Sequence, residues 1–281
     1  MSGLAFVVVA LSAIAHVHWN LLAKRSGGDL RFFAKLQLLG ACMLLPFRLV
    51  GSYFRPPTPV ALAMVGLSGL CYLGYYTCLG RAYRSGALSI AYPISRGVAP
   101  AAAALVGVCV LGERLRQAGW AGVGLVALGI LAVGYAETPH SRVRLDLRTI
   151  LWAIATGLFS AGYMVFDKVG VQNADPSLYL SLCYVVGGTL QFLLFRHDSK
   201  PSDGARLGRV LAAAASCTIA YLAVLWVMRY EPVSMVAPVR SLAVVFSVLV
   251  GSRLLGEAGG ALRYLGEATI LCGILLVSLR G

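Results

Sequence analysis

The second half of this chain repeats the first, and each copy holds five apolar segments. The first copy contains Ser89-Ile90-Ala91-Tyr92-Pro93-Ile94-Ser95-Arg96 and, after an apolar run, Leu111-Gly112-Glu113. The second contains Ser234-Met235-Val236-Ala237-Pro238-Val239-Arg240-Ser241 and then Leu255-Gly256-Glu257. The prolines lie 145 residues apart and the Leu-Gly-Glu triplets 144, a slippage of one residue. Earlier in each copy, His16 to Asn20 lines up with Tyr163 to Asp167 at a spacing of 147. Five is an odd number, so a second copy that crosses a membrane must enter it from the opposite side. The expected architecture is therefore an inverted repeat about a pseudo-two-fold axis in the membrane plane.

Composition places these segments in lipid. The chain is 59% hydrophobic and 12% charged, with a mean hydropathy of +0.80, outside the range of an ordinary soluble domain. A helix needs about 20 residues to span a bilayer. Ten segments qualify: 2–23, 31–50, 58–80, 86–111, 117–136, 149–171, 176–195, 206–228, 232–255 and 262–280. The fold class is all-α and integral to the membrane, with ten transmembrane helices as two inverted five-helix repeats. The stretch from Glu137 to Arg148 is the longest connection and carries His140, Arg142, Arg144 and Arg148. It divides the chain into a first repeat, 1–138, and a second, 139–281. The first segment lacks the basic n-region of a signal peptide and reads as a span. Seven cysteines fall inside spans, with no metal spacing and no disulfide framework, so they read as small packing residues. No cofactor or metal is implied.

Each repeat buries one arginine. Arg96 lies about ten residues into its segment, roughly 15 Å at 1.5 Å per residue, close to the midplane; Arg240 lies at a similar depth. An arginine at the centre of a span costs about 2.5 to 3.5 kcal/mol on insertion scales, so each needs a counter-ion, carbonyls or a wet cavity. Pro93 and Pro238 supply part of this, because an internal proline removes a hydrogen bond and bends the helix, freeing carbonyls. Ser89, Tyr92 and Arg96 share one helix face. These arginines either brace helices or contact a ligand. Of eleven acidic residues, only Asp167 and Glu267 fall within spans, each nearer an end than the centre. A central cavity carrying both arginines would thus be positive, unless Asp167 pairs with one of them.

His16 and Asn20 are one turn apart on the first helix, and Tyr163 and Asp167 repeat that spacing on the sixth. Two-fold symmetry would set the two pairs across one cavity. His16 is the candidate for proton coupling, with a histidine merely hydrogen-bonded in the bundle as the alternative. Tyr72, Tyr75 and Tyr76 form an aromatic face on the third helix, and Tyr221 matches Tyr75 in the second copy; they line a cavity wall or simply pack. His18 and Trp19 are expected toward the interface, as are Trp120, Trp152 and Trp226. Gly122 and Gly129, seven apart, would let the fifth helix approach a neighbour closely. The Leu-Gly-Glu triplets end spans and are expected to cap or gate.

The segments from Ile90 to Arg114 and from Met235 to Glu257 resemble the signature fourth and ninth helices of the drug/metabolite transporter superfamily, in its EamA-type branch. His16-Val17-His18-Trp19-Asn20-Leu21-Leu22-Ala23-Lys24 resembles the end of that family's first helix. The resemblance implies a multi-pass protein of the bacterial cytoplasmic (inner) membrane. It also implies a basket of two five-helix repeats that moves small metabolites by alternating access, usually coupled to a proton or to exchange. Within that frame the centre, rich in arginine and poor in acid, favours a small anionic or zwitterionic substrate such as an amino acid or organic acid. Arg96, Arg240, Tyr92, Tyr72, Tyr75, Tyr76, Tyr163, Tyr221 and Asn20 are the candidate substrate contacts. His16, Asp167, Pro93 and Pro238 are the candidates for coupling or gating. A flippase for a lipid-linked anion is the alternative. A membrane-embedded transferase is a more distant one, because the chain holds no His-x-x-x-His pair, Asp-rich motif or Gly-x-Ser-x-Gly elbow. Nor does any basic helix outside the spans suit nucleic acid, so the net charge of +13 reflects topology and lipid contact. Counting Lys and Arg between spans gives 15 on one side and 7 on the other, with the remaining two of the 24 inside spans. The positive-inside rule then puts both termini outside, whereas the family habit puts them inside.

Overall fold

Backbone N–H and C=O groups in lipid have no water to pair with, so apolar segments of this length become helices. The computed structural model describes residues 1–50, 56–84, 88–137, 147–197, 206–246 and 260–280, with 46–50, 88–93 and 280 described by backbone alone. Among the described residues all regular structure is helical: α1 (Gly3–Arg25), α2 (Leu30–Val50), α3 (Pro59–Arg84), α4 (Leu88–Leu111), α5 (Gln117–Glu137), α6 (Leu147–Asn173), α7 (Pro176–Phe195), α8 (Leu207–Met228), α9 (Val233–Val239) and α10 (Ala261–Arg280). Eight of these are long and apolar enough to cross a membrane. The expected spans agree with the helices to within a few residues, except the ninth; α2 forms where the second was expected but is not among the eight. The boundary at 138/139 lies outside the described residues.

Local chemistry explains the helix ends. Ser2 caps α1 by accepting from the Ala5 N–H, and Asp29 opens α2 by accepting from the Arg31 N–H. Asp175 caps α7, accepting from the N–H groups of Ser177 and Leu178, with Pro176 in the first turn where its missing N–H costs nothing. Lys24 and Arg25 sit in the last turn of α1, where the helix dipole favours cations.

The ninth span departs from expectation in a way its proline explains. α9 stops at Val239, Arg240 and Ser241 form a turn, and helical backbone resumes over 242–246. The Ser241 N–H donates to the Pro238 carbonyl at 2.9 Å, a tightened bond of the kind that ends a helix. α4 runs unbroken past Pro93. One repeated proline thus gives a continuous helix in one copy and a broken helix in the other. The side chains of Tyr92 and Pro93 lie outside the described residues.

Helix packing is symmetric under exchange of α1–α5 for α6–α10. α2 packs on α7, α4 on α9 and α5 on α10, each against its own counterpart. α3 packs on α6 as α1 packs on α8, and α3 on α7 as α2 on α8. The α5–α10 crossing shows the sense of this symmetry. Gly122 faces Gly273 and Gly129 faces Gly266, each carbonyl 2.6–2.9 Å from where the opposing glycine would carry a Cβ. Gly122 and Gly266 lie 144 residues apart, as do Gly129 and Gly273. Equivalent residues therefore meet crosswise on antiparallel helices, which is the signature of a two-fold axis through the contact.

The molecule is apolar on its outside as well as in its core. Leu4, Val7, Leu11 and Ile14 make an exposed stripe along α1, while Ser12, His16 and Asn20 of the same helix are buried. Polar groups turned inward and leucines turned outward suit a lipid surround. Glu267 pairs with Arg263 one turn earlier at 3.6 Å, so this span acid is neutralised within α10.

Glu113 ties the repeats together at one end. Gly112 turns the chain at a φ of +67° beyond α4, and the Glu113 N–H donates back to the Gly107 carbonyl at 3.1 Å. The Glu113 carboxylate then accepts from the N–H groups of Val233 and Ser234, at 2.7 and 2.8 Å, and so caps α9 of the other repeat. Next to it, the Lys168 ammonium donates to the carbonyls of Met228 and Glu231 at 2.7 and 2.9 Å. The first Leu-Gly-Glu triplet is therefore an inter-repeat cap; Glu257 of the second lies outside the described residues. Glu113→Ala should lower stability by about 1–2 kcal/mol, the worth of a charged cap, with Glu113→Gln in between. Thermal unfolding in detergent reads this directly, and equal midpoints for all three proteins would remove Glu113 from the account.

Candidate functional site

The α4–α9 contact brings Arg96 and Arg240, both half-buried, to one cavity. Arg96 is on α4, and Arg240 is in the turn that Pro238 creates below α9. With them the cavity is lined by His16, Pro100, Ser160, Met164, Ser241 and small apolar side chains. Its volume is about 30 Å³, room for a water or two, so the walls must part before a metabolite can enter. Among the described residues no carboxylate lines it.

Among the described residues, neutral groups contact both guanidiniums. Arg96 Nη2 donates to Asn20 Oδ1 at 3.1 Å and to the Tyr75 hydroxyl at 3.4 Å. Asn20 is oriented in turn by donating to the His16 carbonyl at 2.8 Å. Arg240 Nη1 reaches the Met164 sulfur at 3.3 Å, and the guanidinium lies 5.0 Å above the Tyr221 ring. A cation over an aromatic face gains attraction without losing its charge to a counter-ion. His16 Nδ1 accepts from the Trp19 indole at 3.1 Å. An indole N–H can only donate, so Nδ1 is an acceptor and the neutral ring carries its proton on Nε2.

Behind the arginines stands a tyrosine layer. Tyr72 stacks on Tyr163 at 4.7 Å, Tyr75 meets Tyr163 edge-on at 5.5 Å, and Tyr163 meets Tyr221 edge-on at 5.4 Å. Ser160 joins the layer to the cavity by donating to the Tyr163 hydroxyl at 3.0 Å. Tyr76 turns away, stacking on Phe33 and meeting the Cys217 sulfur at 3.5 Å.

Asp167 lies behind this layer and does not line the cavity. It is fully buried, and hydroxyl groups surround it. Oδ1 accepts from Ser68 and from Tyr179 at 3.0 Å, and Oδ2 from Tyr72 at 3.1 Å and Tyr221 at 2.5 Å. Four donors fill the acceptor sites of an ionised carboxylate. Neither Arg96 nor Arg240 is among its partners.

Comparison with known proteins fits this arrangement. Residues 147–279 match the EamA-like transporter family. The match covers most of the second repeat. The chain is also similar to the uncharacterized transporter YwfM of Bacillus subtilis (strain 168), with 23% identity over 222 residues, covering 78% of this chain and 74% of that one. A protein of known crystal structure superimposes with a TM-score of 0.78 at 19% identity, covering 99% of this chain and 98% of the other, a likeness of fold. The chain is an integral, multi-pass membrane protein.

The segment that matches this family supplies Ser160, Met164, Ser241 and Arg240 to the cavity, and the first half supplies His16, Arg96 and Pro100. Of the residues singled out in the sequence, His16, Arg96 and Arg240 line the cavity. Asn20, Tyr75 and Tyr221 contact its arginines, while Tyr72 and Tyr163 form the next layer. Pro238 sets the turn that carries Arg240. Tyr76 and Asp167 sit farther back. The symmetric placement expected for Asp167, facing His16 and Asn20 across the cavity, gives way to the hydroxyl cage. Trp19, expected at the interface, is buried and holds His16, whereas His18 is exposed and meets Ser216 at 3.1 Å. Ser68 and Tyr179 had no sequence signal. Hydroxyl residues are common in apolar helices, and only the packing of α3 and α7 against α6 reveals these two as carboxylate partners.

Proposed function

We propose that the protein is a secondary transporter of a small anionic or zwitterionic metabolite, an amino acid or organic acid, working by alternating access. The observation that carries this reading is that Arg96 and Arg240, 144 residues apart, meet at one cavity that no carboxylate lines among the described residues. Guanidinium forks bind carboxylates bidentately, and a site already oriented by Asn20, Tyr75 and Tyr221 loses little entropy on binding. The two repeats, 1–138 and 139–281, act as the bodies that rock about the site. A narrow, water-sized cavity fits a stage of such a cycle in which the site is not yet open to substrate. Transport is the activity, not catalysis, and the membrane is the bacterial cytoplasmic (inner) one.

His16 serves coupling. It shares the cavity with both arginines, and protonation at Nδ1 would break its bond with the Trp19 indole, so a proton arriving there changes local packing.

The test is uptake of labelled succinate, aspartate and alanine into proteoliposomes, with and without a pH gradient, for wild type and Arg96→Gln. Wild-type uptake of the anionic probes, enhanced by the gradient and reduced about 100-fold in the variant, is the expected result, since an unpaired buried charge contact is worth about 2–5 kcal/mol. Normal anion uptake by Arg96→Gln would refute the site. Uptake of nothing soluble by wild type would transfer the reading to a flippase for a lipid-linked anion.

A further inference from the structure

We infer that Asp167 is a positioning residue for the anion site, acting on Arg240 through the ring of Tyr221. The inference rests on the reading of Arg240 as an anion contact and explains how that side chain is held without a counter-ion.

The geometry has two links. The Tyr221 hydroxyl donates to Asp167 Oδ2 at 2.5 Å, and the opposite end of that residue's influence is its ring face, 5.0 Å from the Arg240 guanidinium. A hydroxyl donating to an ionised carboxylate makes a short, charge-assisted bond that fixes the ring plane. It also shifts electron density toward the ring, which strengthens attraction for a cation above the face. The carboxylate therefore acts on the guanidinium without neutralising it. A direct Asp167–Arg240 ion pair would cancel the charge that an anion needs to find.

The remaining donors explain why the carboxylate can hold a ring still. Ser68 and Tyr72 come from α3, Tyr179 from α7 and Tyr221 from α8, while Asp167 belongs to α6. One buried group thus links four helices, and both oxygens are fully engaged. Tyr72 adds a second brace, since its ring meets Tyr221 edge-on at 6.1 Å. Rotation of Tyr221 would break the bond to Oδ2 and this contact together. Among the described residues neither Asp167 nor its hydroxyl partners line the cavity, so Asp167 acts through Tyr221 and does not touch substrate.

The test needs no known substrate. Detergent-solubilised full-length protein is treated with the arginine-selective reagent phenylglyoxal, and modification of Arg240 is followed by mass spectrometry in wild type, Asp167→Asn and Tyr221→Phe. Tyr221→Phe keeps the ring and removes only the hydroxyl, so it guards against a misfolded Asp167 variant. Both variants should label Arg240 about fivefold faster or more, the factor expected when a cation–π contact of ordinary strength is lost. Exposed Arg116 should label at an unchanged rate, and buried Cys183 should stay protected from maleimide. Wild-type labelling of Arg240 in Tyr221→Phe would overturn the inference. So would faster labelling accompanied by exposure of Cys183, since that marks general loosening. Succinate and aspartate uptake, measured in parallel, separates the two ideas: faster labelling with unimpaired uptake in Arg240→Gln would leave the linkage standing and remove the anion site it serves.

Discussion

Arg240→Gln is expected to fold normally and to lose transport of anionic probes by about two orders of magnitude or more. The loss follows from removing a guanidinium in a site of low dielectric, where truncating one member of a buried charge contact costs about 2–5 kcal/mol. Glutamine keeps a polar tip and much of the stem that packs over Tyr221, but it has neither the charge nor the fork that grips a carboxylate. Folding should not suffer. An arginine in a span is a burden of about 2.5–3.5 kcal/mol on insertion scales, so its removal leaves the bundle as stable as before or more so. The signature is thus activity lost with the thermal midpoint held or raised. Proteoliposome uptake of succinate and aspartate, with midpoints from the same preparations, measures both. A midpoint that falls with activity would recast Arg240 as a structural brace for the turn after α9.

The second large effect is on stability and sits far from the cavity. A Cβ added at Gly129 would lie 2.7 Å from the Gly266 carbonyl and 2.8 Å from the Ile270 nitrogen. These are backbone atoms of α10 and cannot turn aside, so α5 and α10 must separate. Without a hydrophobic force between helices in lipid, close backbone packing is a main source of their attraction. Gly129→Ala should cost about 1–3 kcal/mol, the usual cost of overpacking, and Gly129→Leu should leave little folded protein in the membrane. Gly124→Leu is the control, since a Cβ there meets nothing within 4 Å and the position is exposed. Fluorescence-detected gel filtration of the three variants gives the result. Equal monodisperse yield for Gly129→Leu and Gly124→Leu would mean the crossing is looser than its glycines indicate.

The spacing of Gly122 and Gly129 announced a close helix contact, and Gly266 and Gly273 emerged as their partners only in the packing. It did not say that α5 would meet α10, because a stripe of small residues fits any neighbour. The Leu-Gly-Glu triplet at 111–113 announced a cap, and Glu113 is one, but the helix it caps belongs to the other half of the chain. Trp19 shows the opposite outcome. A tryptophan near a span end reads as an interface anchor, yet the pairing of α1 with α8 and the His16 ring beside it provide an indole partner inside the protein.

The sequence by itself determined an all-helical membrane fold with apolar segments near the observed helices, and set the expectation of two inverted copies with Arg96 and Arg240 deep in their segments. These follow from length, periodicity and the cost of charge in lipid, all properties of a single segment. Only the tertiary structure decided that the two arginines share one cavity, that Asp167 stands behind it in a cage of hydroxyls, and that the repeated proline breaks α9 while α4 continues. Each of these depends on which helices touch and how far the two copies depart from one another. Neutral partners such as Tyr221, Ser68 and Tyr179 carry no charge or spacing that would mark them along the chain. Their roles arise from direction and distance, which exist only once four helices have packed.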